Sequence, residues 1–201
     1  MHFVNMSVLR SIAVFLCGLF TLTTVSAQVL LPGGCPDVSA MTDFIPSRYL
    51  GKWYEVEKYF AIFELGGKCI TATYSEKDNG AIAVHNQQVN TYSGVKSGIL
   101  GVAVQVSRSD EAKLSVRFPS LPVDIPAPYW VLETDYDNYS LVWSCMDFGF
   151  MHAEIAWILT RQRNPPLSVL EQVYAAADKN NISRAYFMKT DQTNCPDDNE
   201  E

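Results

Sequence analysis

The run Gly51-Lys52-Trp53-Tyr54 constrains this chain most, because Thr134-Asp135-Tyr136 and Arg161 answer it far downstream. A glycine lets the backbone turn sharply into a strand, and a tryptophan two residues on can point inward and plug one end of a small barrel. Arg161 ends the apolar stretch Ile155–Thr160 and shares a strand face with Trp157 and Leu159. That spacing predicts a guanidinium laid over Trp53, closing a barrel floor.

Between Gly51 and Arg161, short apolar stretches alternate with turn residues such as Asp78-Asn79-Gly80, Ser93-Gly94 and Asp137-Asn138. The pattern predicts an all-β, up-and-down antiparallel barrel of eight strands. Ile82, Val84, Asn86 and Gln88 fall on one strand face, as do Leu114, Val116 and Phe118, so one face of each strand is free to line a cavity. After Pro165-Pro166, the run Ser168-Val169-Leu170-Glu171 has the form of a capping box, and a C-terminal helix is expected to about Lys179. Its stripe of Val169, Leu170, Val173, Tyr174 and Ala177 is expected to pack on the outer barrel wall. Tyr186–Lys189 is expected to return as a short extra strand.

Residues 1–27 read as a signal peptide: Arg10 precedes an apolar run too short to span a bilayer comfortably, and Val25-Ser26-Ala27 offers small residues for cleavage. Residues 28–201 are then expected to form one secreted, extracellular domain. Cys35, Cys69, Cys145 and Cys195 remain after cleavage, an even number that implies two disulfides in an oxidising compartment. Spacing alone leaves all three pairings open. The mature chain carries 14 basic against 22 acidic residues and shows no basic patch, which argues against a nucleic-acid partner. Asn138-Tyr139-Ser140 and Asn181-Ile182-Ser183 are acceptor triplets for N-glycosylation in that compartment.

Nothing in the sequence has the form of a catalytic or metal site. The mature chain has only His85 and His152, in no zinc-binding spacing, and it has neither a nucleophile elbow nor a glycine-rich phosphate loop. No catalytic residue, metal or cofactor is expected. Glu55 and Glu57 read as neighbours on one wet outer strand face beside Lys58. His152 falls in a rim loop with Phe148, Phe150 and Met151, and Phe60-Ala61-Ile62-Phe63 falls in the first long loop. These two apolar loops either fold over the mouth or face a membrane, a lipoprotein or a receptor.

The Gly-x-Trp, Thr-Asp-Tyr and Arg marks together resemble the three sequence signatures of the lipocalins. Trp53–Lys58, Gly67–Ile70, Pro128–Leu132, Thr134–Tyr139, Ala156–Leu159 and Thr190–Pro196 further resemble the apolipoprotein D branch, which includes the insect Lazarillo-like and bilin-binding proteins. The chain departs from that pattern in a short Cys145–His152 segment and an extra Pro-rich stretch from Phe118 to Tyr129, both expected in loops. The resemblance implies disulfides Cys35–Cys145 and Cys69–Cys195, and a structural role for Gly51, Trp53, Thr134, Asp135, Tyr136 and Arg161. It also implies ligand contacts at Tyr74, Asn86, Phe118, Tyr129 and Trp157. Among these Asn86 interrupts an apolar face, where a buried amide needs a partner. The expectation is a carrier that buries a fatty acid, sterol-like lipid or related lipophile without changing it. Its alternatives are a bilin carrier, and an interaction module acting through its loops on a protein or membrane.

Overall fold

The structure, a computed structural model, describes residues 29–107, 110–121 and 125–196; the segment read as a signal peptide lies outside them. Among the described residues ten antiparallel strands are present in chain order: β1 Val29–Pro32, β2 Gly51–Lys58, β3 Gly67–Glu76, β4 Ile82–Asn90, β5 Lys96–Gln105, β6 Lys113–Arg117, β7 Ala127–Thr134, β8 Tyr139–Asp147, β9 Met151–Thr160 and β10 Met188–Lys189. β2 to β9 pair each with the next, and β9 returns to pair with β2, which closes the expected eight-stranded up-and-down barrel. Because each strand alternates inward and outward side chains, two cores form. Trp53, Tyr74, Val84, Val131, Val142 and Leu159 pack inside, whereas Leu141, Trp143 and Ile158 pack outside against α2, Leu167–Lys179. A shorter helix, α1 (Pro46–Tyr49), leads into β2.

Helix α2 buries Val169, Val173, Ala176 and Ala177, close to the expected stripe. Its start differs from the expectation. Pro166 occupies the N-cap with no side-chain cap bond, so Ser168 already lies inside the first turn and no capping box forms. The fixed, extended proline sets the start instead. Tyr186 also differs, closing a 3-10 turn (Arg184–Tyr186), and only Met188–Lys189 extend as a strand.

The N-terminal strand β1, unforeseen from the sequence, pairs with the first four residues of β9, Met151–Glu154. His152 lies in a strand rather than the rim loop, paired with Asp147 of β8 on one side and Leu31 of β1 on the other, and is 5 % exposed, with Nδ1 2.8 Å from the Gly33 carbonyl oxygen and Nε2 3.1 Å from Glu154. Cys145, Pro128 and Tyr129 are likewise in strands, so among the described residues the departing segments lie outside strands only at 148–150, 118–121 and 125–126.

Glu55 and Glu57 correct the sequence reading more sharply. A bulge places them opposite the consecutive residues Leu159 and Ile158, so they face opposite sides, and both are buried. Glu57 accepts a 2.6 Å bond from the Tyr174 hydroxyl of α2, outside the barrel. Beyond Tyr54 the strands β2 and β3 part, and the chain after β10 crosses the gap. There Thr190 donates its amide to Val56, and the Gln192 amide side chain donates to the Glu55 and Ile70 carbonyls. The disulfide Cys69–Cys195 fastens this crossing, while Cys35–Cys145 fastens the N-terminal segment to β8. Each bond spans more than 100 residues, 110 and 126 respectively. A loop that long makes each bond worth about 4–5 kcal/mol in chain-entropy terms.

Candidate functional site

One end of the barrel is sealed as the sequence predicts. Gly51 has φ +94°, and the Arg161 guanidinium carbon lies 3.7 Å from the Trp53 ring centroid. Arg161 also donates to the backbone carbonyls of Tyr136, Lys52 and Leu50 at 2.9 Å and of Arg48 at 3.1 Å, which ties the 48–52 stretch and the β7–β8 turn to one side chain. In the turn between β7 and β8, Asp135 accepts the amides of Asp137, Asn138 and Tyr139 and the side-chain amide of Asn138. Burial pushes this carboxyl up, but those hydrogen bonds outweigh it and hold the group below the usual carboxylate range. Tyr136, with φ +69°, accepts the Ile45 amide at its hydroxyl. Thr134 bridges the same turn, accepting the Tyr136 amide and donating to the Tyr139 carbonyl.

Above this floor the five candidate ligand residues come from five places around the barrel: Tyr74 on β3, Asn86 on β4, Phe118 just after β6, Tyr129 on β7 and Trp157 on β9. Phe118, Tyr129, Trp157 and Tyr74 all pack with the interior cluster. The Tyr129 and Trp157 rings stack with centroids 6.4 Å apart. Asn86 pairs with Ala72 and Ile99 across β3, β4 and β5, and its Oδ1 is buried with no hydrogen-bond partner among the described residues. A buried acceptor left this way costs about 1–3 kcal/mol, so the site carries a standing demand for a donor.

Two residues at this site were not anticipated, Tyr49 and Ser140. The Tyr49 hydroxyl lies 3.0 Å from Ser140 Oγ and 3.1 Å from the Tyr129 hydroxyl, which lies 2.7 Å from that of Tyr74. Burial pushes Tyr49 up to about 12, against the pull of Ser140 and Tyr129, and burial raises Tyr74 and Tyr129 well above the ordinary phenol value. All three therefore stay neutral near pH 7. Four hydroxyls share three contacts, which leaves one hydrogen for a guest or water.

Gly101 shapes the same wall. A Cβ there would stand 2.7 Å from Phe118 Cε1 and 2.8 Å from the Arg117 carbonyl oxygen, and the backbone cannot yield as a flexible side chain would. Gly101→Ala is expected to cost about 1–3 kcal/mol of stability and to displace the Phe118 ring. Thermal unfolding reads the first effect and the aromatic NMR shifts of Phe118 the second.

The opposite end is the mouth, because the β2–β3, β4–β5, β6–β7 and β8–β9 connections of a meander all lie there. Phe63 and Leu65, Tyr92 and Val95, Leu121 and Ile125, and Phe148 and Phe150 stand exposed on those four loops in turn, Tyr92 at 92 % and Phe150 at 80 %. These side chains thus face outward, while Phe60 is half-buried and Ala61 is buried in the β2–β3 loop. Asn138 and Asn181 are both exposed, the first in the β7–β8 turn and the second just after α2. No helix among the described residues is long and apolar enough to cross a membrane.

Comparison with known proteins returns one consistent picture. The family profile described as a lipocalin-like domain matches residues 46–192. Apolipoprotein D of Mus musculus is 41 % identical over 183 residues, which is 90 % of this chain and 94 % of that protein. The Lazarillo protein of Schistocerca americana is 37 % identical over 86 % of this chain and 81 % of its own. Among solved structures, insecticyanin of the tobacco hornworm Manduca sexta superposes with a TM-score of 0.74 at 28 % identity, covering 82 % of this chain and 89 % of that one.

Proposed function

The chain belongs to the lipocalin family, and from that premise we propose that it is a secreted carrier that buries a fatty acid, a sterol-like lipid or a related lipophile in its barrel. The observation that carries the proposal is the unpartnered Asn86 Oδ1 on a wall built from Tyr74, Phe118, Tyr129 and Trp157. Burial of apolar surface supplies the affinity, at about 25 cal/mol per Å², and the Asn86 carbonyl orients the guest through a donor such as a hydroxyl. The four mature cysteines are paired, which leaves no thiolate for chemistry on the guest. The exposed residues of the four mouth loops are the surface proposed to meet a lipid surface from which a guest is drawn. The exposed Asn138 and Asn181 are proposed as glycan acceptors along the secretory route.

The test is tryptophan-fluorescence titration with a hydroxylated sterol and with a long-chain hydrocarbon of similar length. Trp157→Ala is expected to weaken both about 10-fold or more, since truncating a stacked aromatic wall removes on the order of 1–3 kcal/mol. Asn86→Leu is expected to act with opposite signs: the empty protein becomes more stable as the orphaned acceptor disappears, while the hydroxylated guest binds more weakly and the hydrocarbon does not. Unchanged binding in both variants would remove the cavity from the function. A long-wavelength tetrapyrrole band on the purified protein would make a bilin the cargo instead.

A further inference from the structure

A buried ionic cluster joins the mouth to the cavity wall. Glu64 closes the 3-10 turn Ile62–Glu64 in the β2–β3 loop, between Phe63 at 59 % exposure and Leu65 at 67 %. Its own side chain turns inward and is 12 % exposed. One carboxylate oxygen accepts the Trp157 indole N–H at 3.4 Å, and the other lies 2.6 Å from Lys58 Nζ. Lys58 Nζ also lies 2.9 Å from Glu55, which accepts the Thr190 hydroxyl. Both lysine contacts are within ion-pair distance, in a site where Lys58 is 11 %, Glu55 3 % and Glu64 12 % exposed.

The arrangement is unlike an ordinary surface ion pair. An exposed pair contributes little, but a charged carboxylate drawn into a dry site beside an ammonium is costly to leave unpaired. The start of the loop is anchored by Tyr59, whose amide donates to Ala156 and whose hydroxyl donates to Ser183, and Ala61 is buried; past these, Glu64 and Leu65 donate amides within their own turn and Thr91 donates to Gly66. Glu64 therefore fastens an apolar mouth loop to Trp157, whose ring also stacks on Tyr129 inside the barrel.

We infer that Glu64 is a positioning residue that latches the β2–β3 loop across the mouth and sets the orientation of Trp157, so that the Lys58–Glu64–Trp157 link governs how fast a guest enters and leaves. The inference rests on the carrier reading for its functional part only. Opening the mouth requires breaking this link, and a guest that displaces the Trp157 indole loosens the loop from within. Entry and exit then change together, with the equilibrium affinity changed less than either rate.

The experiment is stopped-flow fluorescence with parinaric acid on the wild type, Glu64→Ala and Glu64→Gln, with hydrogen exchange of residues 59–66 measured in each. Glu64→Ala is expected to speed association and dissociation about 10-fold each, with exchange faster in 59–66 and unaltered in β8. Glu64→Gln keeps an acceptor for the indole but loses the charge facing Lys58, and is expected to fall between. Dissociation unchanged in Glu64→Ala, with binding intact, would overturn the inference. So would equal exchange in the loop. A wild type that takes up no probe would count against the carrier reading instead, and the exchange data would still decide whether Glu64 holds the loop.

Discussion

Arg161→Met lowers the unfolding free energy by about 3–5 kcal/mol in urea titration, a larger loss than its position after the last barrel strand suggests. The guanidinium spreads its N–H groups over carbonyls of Tyr136, Lys52, Leu50 and Arg48, all of which lose a donor at once. Its face also covers the Trp53 ring at 3.7 Å. Methionine restores the apolar contact and none of the bonds. Arg161→Lys separates the contributions, because a single ammonium cannot reach carbonyls fanned around a planar fork and sits poorly over a ring. The lysine variant is expected to recover less than half of the loss. Full recovery by lysine would show that charge alone closes the floor and that the fork geometry is incidental.

The features legible in advance were those in which one residue type has one physical use. A glycine at φ +94°, an inward tryptophan two residues later and a distant arginine form a contact that composition cannot disguise. The Asp135 turn is similar, since a short carboxylate that collects three successive amides works only in a tight loop. Asn86 was legible as a polar break in an apolar face. The features without a mark in the sequence depend on the third dimension. The capping box was displaced by Pro166, one residue pair earlier, and no local pattern ranks the two starts. His152 falls beside the apolar rim residues in sequence, and its place in a strand depends on partners on either side, Asp147 of β8 and the distant Leu31 of β1. Tyr49 and Ser140 meet only once α1 and β8 are brought to the same floor. Glu55 is the instructive case. If Trp53 points inward, a residue two positions on must do so as well. The alternation already contradicted a wet Glu55, whereas the bulge that sends Glu57 outward has no mark in the sequence.

Between pH 5 and pH 8 the protein is expected to lose stability as pH rises, and Glu55 is the reason. Burial, then the charge of Glu64, pushes its carboxyl up to about 8, against the opposing pull of Lys58 and the Thr190 hydroxyl. Burial disfavours the Lys58 ammonium, but the two carboxylates outweigh it and hold it above the ordinary lysine value. Two acids and one base in a dry gap carry no excess charge only while one acid keeps its proton. The unfolded chain gives up that proton near 4.5, so the folded state binds more protons throughout the interval. The stabilisation is thus complete below the unfolded value and disappears as pH climbs through the folded one. One proton corresponds to a slope of about 1.4 kcal/mol per pH unit at most, and a total of a few kcal/mol. Glu55→Gln keeps an acceptor for Thr190 and cannot ionise. Other groups that titrate in the interval do so in both proteins, so the difference between the two urea-derived stability curves isolates Glu55. That difference is expected to grow steadily from pH 5 and to level off above pH 8, with the glutamine variant the more stable at the alkaline end. Parallel curves would mean that Glu55 is ionised throughout, with Lys58 neutralising it at the expense of Glu64, and the loop latch would then carry less charge than its geometry implies.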